Sequence, residues 1–83
     1  MSKVILGVLL EQRKETATKF QDLLTDYGCY INTRIGMHQT SDDFCSEQGL
    51  IILEFMNDKG KEANELKEKI SELKGAVVKS MEF

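Results

Sequence analysis

The stretch VILGVLL at residues 4–10 decides the fold, because every position in it except Gly7 carries an apolar side chain. A run this short, and this rich in valine, isoleucine and leucine, predicts a strand that is covered on both faces and belongs in the middle of a sheet. We place this first strand at residues 3–10. Its side chains alternate, so one face carries Val4, Leu6, Val8 and Leu10, and the other carries Ile5, Gly7 and Leu9.

A helix and a second strand follow. Apolar residues spaced three and four apart predict a helix over residues 14–27, whose buried stripe is Ala17, Phe20, Leu23, Leu24 and Tyr27. Gly28 stands where a left-handed residue would end that helix. Residues 29–37 alternate between a mostly apolar and a mostly polar face and predict a second strand, and the polar residues 38–48 predict a long loop.

The second half of the chain repeats this rhythm. Residues 50–56 predict a third strand that is apolar on both faces except at Glu54. Asn57 or Asp58 is expected to cap a second helix over residues 59–74. Gly75 is expected to end that helix, and residues 76–83 predict a fourth strand. The buried stripe of the second helix is predicted to be Ala63, Leu66, Ile70 and Leu73.

The element order is therefore β-α-β-β-α-β, which is the pattern of the α+β ferredoxin-like fold. Right-handed crossovers interleave the two halves into a four-stranded antiparallel sheet with both helices on one face. The first and third strands become the central pair, which agrees with their apolar residues on both faces. The 83 residues suffice for one such domain, covering 1–83.

Two helices cover only one face of such a sheet, so the other face of the central strands stays uncovered. About four to seven large apolar side chains would remain there, which is more than a soluble monomer usually exposes in one patch. The sequence therefore predicts a homo-oligomer, a dimer or higher, packed sheet to sheet or joined along strand edges. The alternative is that the loop over residues 38–48 hides the patch within one chain.

Composition narrows the range of partners and compartments. The net charge is −3 and charged residues make up 30% of the chain, which argues against nucleic acid as a direct partner because such proteins need a basic face. The longest apolar run is far shorter than the roughly 20 residues that cross a bilayer, so no membrane association is expected. No signal-peptide pattern is present, and we expect a cytoplasmic protein.

A metal site would have to use His38 and Cys45, which lie seven positions apart in the polar stretch. Nickel or zinc accepts imidazole and thiolate ligands. The spacing matches no compact ligand pair, so a buried or unliganded role is favoured for each residue within one subunit, and no cofactor is expected. A subunit interface would double the number of ligands, and metal binding across subunits therefore stays open as an alternative.

An enzymatic role has little support in the sequence. No glycine-rich phosphate loop and no nucleophile with a nearby base at a known spacing is present. A small acylphosphatase-like enzyme shares the predicted topology but needs a phosphate-binding loop after the first strand, where this chain has EQRKE at residues 11–15. Arg13 and Lys14 could meet an anion at the start of the first helix, although a solvated helix start is the favoured interpretation.

The most specific group of candidate ligand-binding residues lies where the predicted second strand joins the polar residues 38–48. Gly36 would allow a ligand or another backbone to approach closely, and Arg34 supplies a planar donor fork for a carboxylate or phosphate. His38 changes charge near neutral pH. Together with Met37, and with Arg13 from the first loop, these residues form the predicted ligand site.

Four segments together resemble a known family: VILGV at residues 4–8, LTDYG at 24–28, TRIGM at 33–37 and ELKGAVVKS at 72–80. The chain is similar along its whole length to the small proteins known as iron-only hydrogenase system regulators. That family is ACT-like and resembles the C-terminal domain of the nickel-responsive repressor. The resemblance implies an oligomeric domain that binds small effectors at subunit interfaces.

The expected function is thus a non-enzymatic regulatory module that forms homo-oligomers. It would bind a small effector or a protein partner at a subunit interface, and the resemblance implies a link to the iron-only hydrogenase system. The alternatives are a transition-metal-binding protein that uses His38 and Cys45 across subunits, and a small acylphosphatase-like enzyme.

Overall fold

The computed structural model describes residues 2–11, 14–40 and 45–83, and side chains within these ranges except those of 37–40 and 45–48. It has the predicted α+β ferredoxin-like fold, with a four-stranded antiparallel sheet in the order β2-β3-β1-β4. The elements are β1 (Val4–Glu11), α1 (Lys14–Asp26), a short 3-10 turn (Gly28–Tyr30), β2 (Ile31–Thr40), β3 (Cys45–Phe55), α2 (Gly60–Ser71) and β4 (Ala76–Glu82).

The central position of β1 and β3 is confirmed. β1 pairs with β3 on one side and with β4 on the other, and Gly7 lies opposite Ile52 and Lys79 in these two pairings. The side chains on the face of β1 that contains Val4, Leu6, Val8 and Leu10 are buried, whereas that of Leu9, on the other face, is exposed. The helices therefore cover one face of the sheet, as the alternation in VILGVLL predicted.

The core lies between the helices and that face. Both predicted helix stripes are confirmed in their main members, and Leu23 and Leu73 pack partly against the core. Thr16 is buried as well, although its polar side chain was not predicted to face inward. The buried apolar residues are Val4, Leu6, Val8, Leu10, Phe20, Leu24, Tyr27, Leu53, Phe55, Ala63, Leu66 and Ile70.

The hairpin between β2 and β3 is longer than the sequence predicted. The prediction of a loop over residues 38–48 is wrong, because β2 continues to Thr40, β3 begins at Cys45, and these two residues pair. Backbone hydrogen bonds hold such a ladder, and they form between polar residues as well as between apolar ones. Residues 41–44 lie outside the described part of the chain.

A register shift also changes the predicted alternation of β2. Ile31 pairs with Phe55 and Thr33 pairs with Glu54, so Asn32 is an extra residue in β2 and forms a bulge. The alternation predicted for residues 29–37 would put Ile31 on the same face as Ile35. The bulge instead places Ile31 on the covered face beside Phe55, where it packs against the core.

Three predictions about helix ends are wrong. α2 ends at Ser71, four residues before Gly75, which was expected to end it. Among the described glycines only Gly75 has a positive φ, of +83°, whereas Gly28 begins the 3-10 turn. The residue before α2 is Lys59, with no side-chain cap. Asp58 instead has a φ of 64°, and its carboxylate accepts a hydrogen bond of 3.0 Å from the backbone N–H of Ser2. In the described part of the chain, no helix is both long and apolar enough to cross a membrane.

Candidate functional site

The sheet face away from the helices carries a large exposed apolar surface, which we call the open face. Opposite residues of an antiparallel pair share a face, so the pairing defines its membership. Ile35, Val77 and Met81 are between 49 and 55% exposed. The expected uncovered patch is therefore present. Its cross-strand rows are Met81–Ile5–Glu54–Thr33, Lys79–Gly7–Ile52–Ile35 and Val77–Leu9–Leu50.

An ion pair lies on the open face. The ammonium group of Lys3 is 2.8 Å from Oε2 of Glu54 and also donates to the backbone oxygen of Phe55 at 3.1 Å. The hydrogen bond from Lys3, followed by one from Thr33, lowers the pKa of Glu54 below its ordinary value. Asn32 donates a third, longer bond of 3.4 Å to the same carboxylate. Glu54 is therefore ionised at neutral pH and its charge is compensated within the chain.

A second feature lies at the corner where α1 begins and where the α2–β4 connection passes beneath it. This open cavity, which we call the corner cavity, has a volume of about 500 Å³. That volume falls within the range of small-molecule sites in proteins. Both signs of charge line it, with ammonium groups outnumbering carboxylates. Its lining residues are Lys14, Glu15, Thr16, Lys19, Glu72, Leu73 and Lys74.

The corner is held together by contacts between distant parts of the chain. The hydroxyl of Thr16 donates a 2.9 Å hydrogen bond to the backbone oxygen of Lys74. The backbone N–H of Glu11 donates a 2.9 Å bond to the oxygen of Gly75. The positive φ of Gly75 turns the chain from the cavity wall into β4. The end of β1, the start of α1 and the start of β4 thus meet in a defined geometry.

The chemistry of this corner favours negatively charged ligands. The first residues of α1 contribute backbone N–H groups that have no partner within the helix, and the positive end of the helix dipole lies there. Lys14, Lys19 and Lys74 add three exposed ammonium groups, while Glu15 and Glu72 add two carboxylates. A compact carboxylate or phosphate group would meet donors from both the backbone and the side chains.

The predicted ligand group lies elsewhere in the chain. Arg34 and Gly36 are exposed on edge strand β2, where they pair with Leu53 and Ile51 on the covered side of the sheet. A Cβ added at Gly36 would meet nothing within 4 Å, so no contact with the described residues requires glycine there. Leu53 in turn pairs with Leu6, so Arg34 lies about 17 Å along the strand direction from the end of β1.

The remaining predicted residues are only partly described. The backbone of β2 pairs Met37 with Leu50 and His38 with Gly49, and Cys45 begins β3. The side chains of Met37, His38 and Cys45, and the whole of Arg13, lie outside the description. The hairpin brings His38 and Cys45 to the same end of the sheet. The ligand role of all these residues, and metal binding across subunits, stay predictions.

Sequence reasoning did not find the corner cavity. Lys14 was noted as an anion candidate, but Thr16, Lys19 and Lys74 were not. Thr16 and Lys74 are 58 positions apart, and no local pattern connects them. One signal was available: Thr16 lies four positions before Phe20, on the buried side of the helix, where a polar residue needs a partner.

The whole chain was compared with known proteins. No family model matches it. No curated protein matches it either. Among solved structures, the uncharacterized protein TM1266 of Thermotoga maritima is similar over 100% of this chain and 99% of its own, with a TM-score of 0.75 and 21% identity. The ACT domain of GTP pyrophosphokinase from Chlorobium tepidum is similar over 95% of this chain and 96% of its own, with a TM-score of 0.63 and 12% identity.

A nitrogen regulatory PII-like protein, CPII of Thiomonas intermedia, has the same fold. It is similar over 100% of this chain and 91% of its own, with a TM-score of 0.59 and 20% identity, and its structure holds ADP, AMP and bicarbonate. At these identities the similarity establishes the fold, which is shared with ACT and PII-like domains.

Proposed function

We propose that the protein is a non-enzymatic regulatory module that binds a small anionic effector in the corner cavity. The observation that carries this proposal is the cavity itself, where the N-terminus of α1 and three lysines face one space of about 500 Å³. The effector would be a molecule with carboxylate or phosphate groups, since these accept hydrogen bonds from ammonium groups and from free backbone N–H groups.

The fold supports a regulatory role. One similar structure is the ACT domain of GTP pyrophosphokinase, and another is a nitrogen regulatory PII-like protein solved with ADP, AMP and bicarbonate. The ligands of that second protein are anions of the proposed class. The sequence resemblance to iron-only hydrogenase system regulators supports placing the regulation in that system.

The module is proposed to act as a homo-oligomer, because the open face leaves many apolar side chains in water. The corner cavity adjoins the end of β1, because Glu11 bonds to Gly75 just after the cavity wall, and β1 is a central strand of the open face. A ligand that orders this corner would therefore act on residues bonded directly to a strand of the oligomer surface.

The test is isothermal titration calorimetry with ADP, citrate and inorganic phosphate as separate probes. We expect at least one probe to bind, and a Lys14→Ala/Lys74→Ala variant to lose at least tenfold in affinity. Lys61→Ala is the matched control, because Lys61 is an exposed lysine of α2 that does not line the cavity. Equal affinity in the double variant and the control, or no binding by any probe, would contradict the proposed site.

The predicted ligand group on β2 can be separated in the same series. Arg34→Ala leaves the corner cavity intact, because Arg34 does not line it. A loss of affinity in Arg34→Ala but not in Lys14→Ala/Lys74→Ala would move the effector site to β2 around Arg34. The folded state of each variant is checked by far-ultraviolet circular dichroism.

A further inference from the structure

Gly7 lies at the centre of the open face. It is in the middle of central strand β1, and its row contains Lys79 on one side and Ile52 and Ile35 on the other. The missing side chain leaves a depression between Ile5 and Leu9 along the strand and beside Ile52 across it. A glycine in the interior of a strand weakens that strand, and it often marks a place where another group approaches closely.

Nothing within the described chain requires a glycine at this position. A Cβ added at Gly7 would meet only the Cδ1 atom of Ile52, at 3.8 Å, which is an ordinary van der Waals contact. Its φ is not in the left-handed region that favours glycine, unlike that of Gly75. The contacts of the described residues therefore do not explain this glycine, whereas a group that covers the open face would explain it.

We propose that a second copy of this chain covers the open face, with Ile52 of each copy seated in the Gly7 depression of the other. This proposal rests on the homo-oligomer in the proposed function and specifies its surface. The charges of the face favour a second copy over a strongly acidic or basic partner. Lys3 and Glu54 neutralise each other there, and Lys79 adds a single positive charge in the Gly7 row, so the face carries no excess of acidic groups although the chain's net charge is −3.

The area of the face also fits a dimer. Four strands spaced about 4.8 Å apart, each with about seven residues rising 3.4 Å, present roughly 450 Å² per copy in projection. Two copies therefore cover roughly 900 Å² in projection. Because protruding side chains add surface, the accessible area buried reaches about the 1,000 Å² or more of a specific interface. Among the described side chains, six large apolar ones on or beside this face are at least 38% exposed: Leu9, Ile35, Leu50, Val77, Met81 and Phe83.

The pairing register selects one symmetric arrangement. Full overlap of two such faces requires the two-fold axis to lie in the plane of the interface and to pass through the midpoint between β1 and β3, the two middle strands. The axis can then run parallel or perpendicular to the strands. An axis parallel to the strands puts Gly7 of each copy against Ile52 of the other and Lys79 against Ile35. An axis perpendicular to the strands would put Gly7 against Gly7 and the two Lys79 ammonium groups against each other. The first arrangement pairs small with large residues and keeps like charges apart.

The test measures self-association by sedimentation equilibrium and native mass spectrometry. Wild type is expected at twice the 9.4 kDa mass of one chain or a multiple of it. Gly7→Leu fills the depression and should raise the dissociation constant at least tenfold. Gly28→Leu is the matched control, because Gly28 is exposed and a Cβ there meets nothing within 4 Å. Adding Ile52→Ala to Gly7→Leu should restore association at least in part, since it returns the lost space.

Two aspartate variants elsewhere on the open face, and a separate measurement of anion binding, complete the test. Val77→Asp and Met81→Asp change side chains that are 53 and 55% exposed in one chain, so these variants fold, and they should also dissociate the oligomer. Wild type that is monomeric, or an oligomer unchanged in Gly7→Leu, Val77→Asp and Met81→Asp, would overturn the proposal. Anion binding is measured separately, so a monomer that still binds ADP, citrate or phosphate would refute this surface and leave the proposed effector site standing.

Discussion

Replacing Thr16 with valine tests whether one side-chain hydrogen bond holds the corner cavity together. Thr16 is only 6% exposed, and its hydroxyl donates a 2.9 Å bond to the backbone oxygen of Lys74. Valine keeps the shape and the β-branching of threonine, so the variant removes the bond without opening a cavity. A hydrogen bond of this kind contributes about 0.5–1.5 kcal/mol net.

The lost bond should lower the free energy of unfolding by about 1 kcal/mol and the Tm by roughly 4–8 °C, as expected for a domain of this size. Thr18→Val is the control, since the Thr18 hydroxyl donates to the Lys14 backbone oxygen on an exposed helix surface. Surface changes of that kind stay within about 0.5 kcal/mol. Urea unfolding followed by circular dichroism gives both values. Equal stability of the Thr16 and Thr18 variants would refute the reasoning, and so would unchanged anion affinity in a measurably destabilised Thr16→Val.

Three further predictions concern the open face, the turn into β4 and the metal alternative. Because the pKa of Glu54 is lowered in the folded chain, its ionised form stabilises the fold above the unfolded pKa, and that stabilisation is lost as the pH falls through the folded pKa. An NMR titration should show the Glu54 pKa rising toward its ordinary value in Lys3→Met; an unchanged pKa would disprove the role of that bond. Gly75→Ala should lower stability by about 1–2 kcal/mol, because alanine is strained at positive φ and its Cβ would lie 2.8 Å from Oε2 of Glu11. Gly28→Ala, which meets no such contact, should change little, and equal effects of the two would contradict this account. Elemental analysis of the purified protein should find less than one nickel or zinc per chain, whereas a stoichiometric metal that is lost in Cys45→Ser would establish the metal-binding alternative.

The sequence predicted those elements of the fold in which the burial of side chains produces a repeating apolar pattern. β1 is apolar on both faces because helices cover one of them and the central position shields part of the other, and this pattern placed β1 in the middle of the sheet. The helix stripes containing Phe20 and Leu66 follow the helical repeat for the same reason. Each of these elements carries its own signal within a few residues.

The parts that were missed depend on the backbone or on distant residues. The hairpin that reaches Thr40 and Cys45 is held by backbone pairing. Polar residues can take part in such pairing without producing an alternating apolar pattern in the sequence. The bulge at Asn32 depends on the register with β3, and register is a property of two strands together. The corner cavity joins the start of α1 to the segment before β4, so its residues come together only in the folded chain.

The most direct measurement of the central claim is an NMR titration of the amide N–H signals of the folded chain with ADP, citrate and phosphate. We predict that at least one of these anions shifts the signals of Lys14, Glu15 and Thr16, together with those of Leu73 and Lys74 across the cavity. Signals from exposed residues of α2 such as Lys61 should stay in place. Saturating shifts confined to β2 around Arg34, or no saturating shift with any of the three anions, would contradict an effector site at the corner cavity.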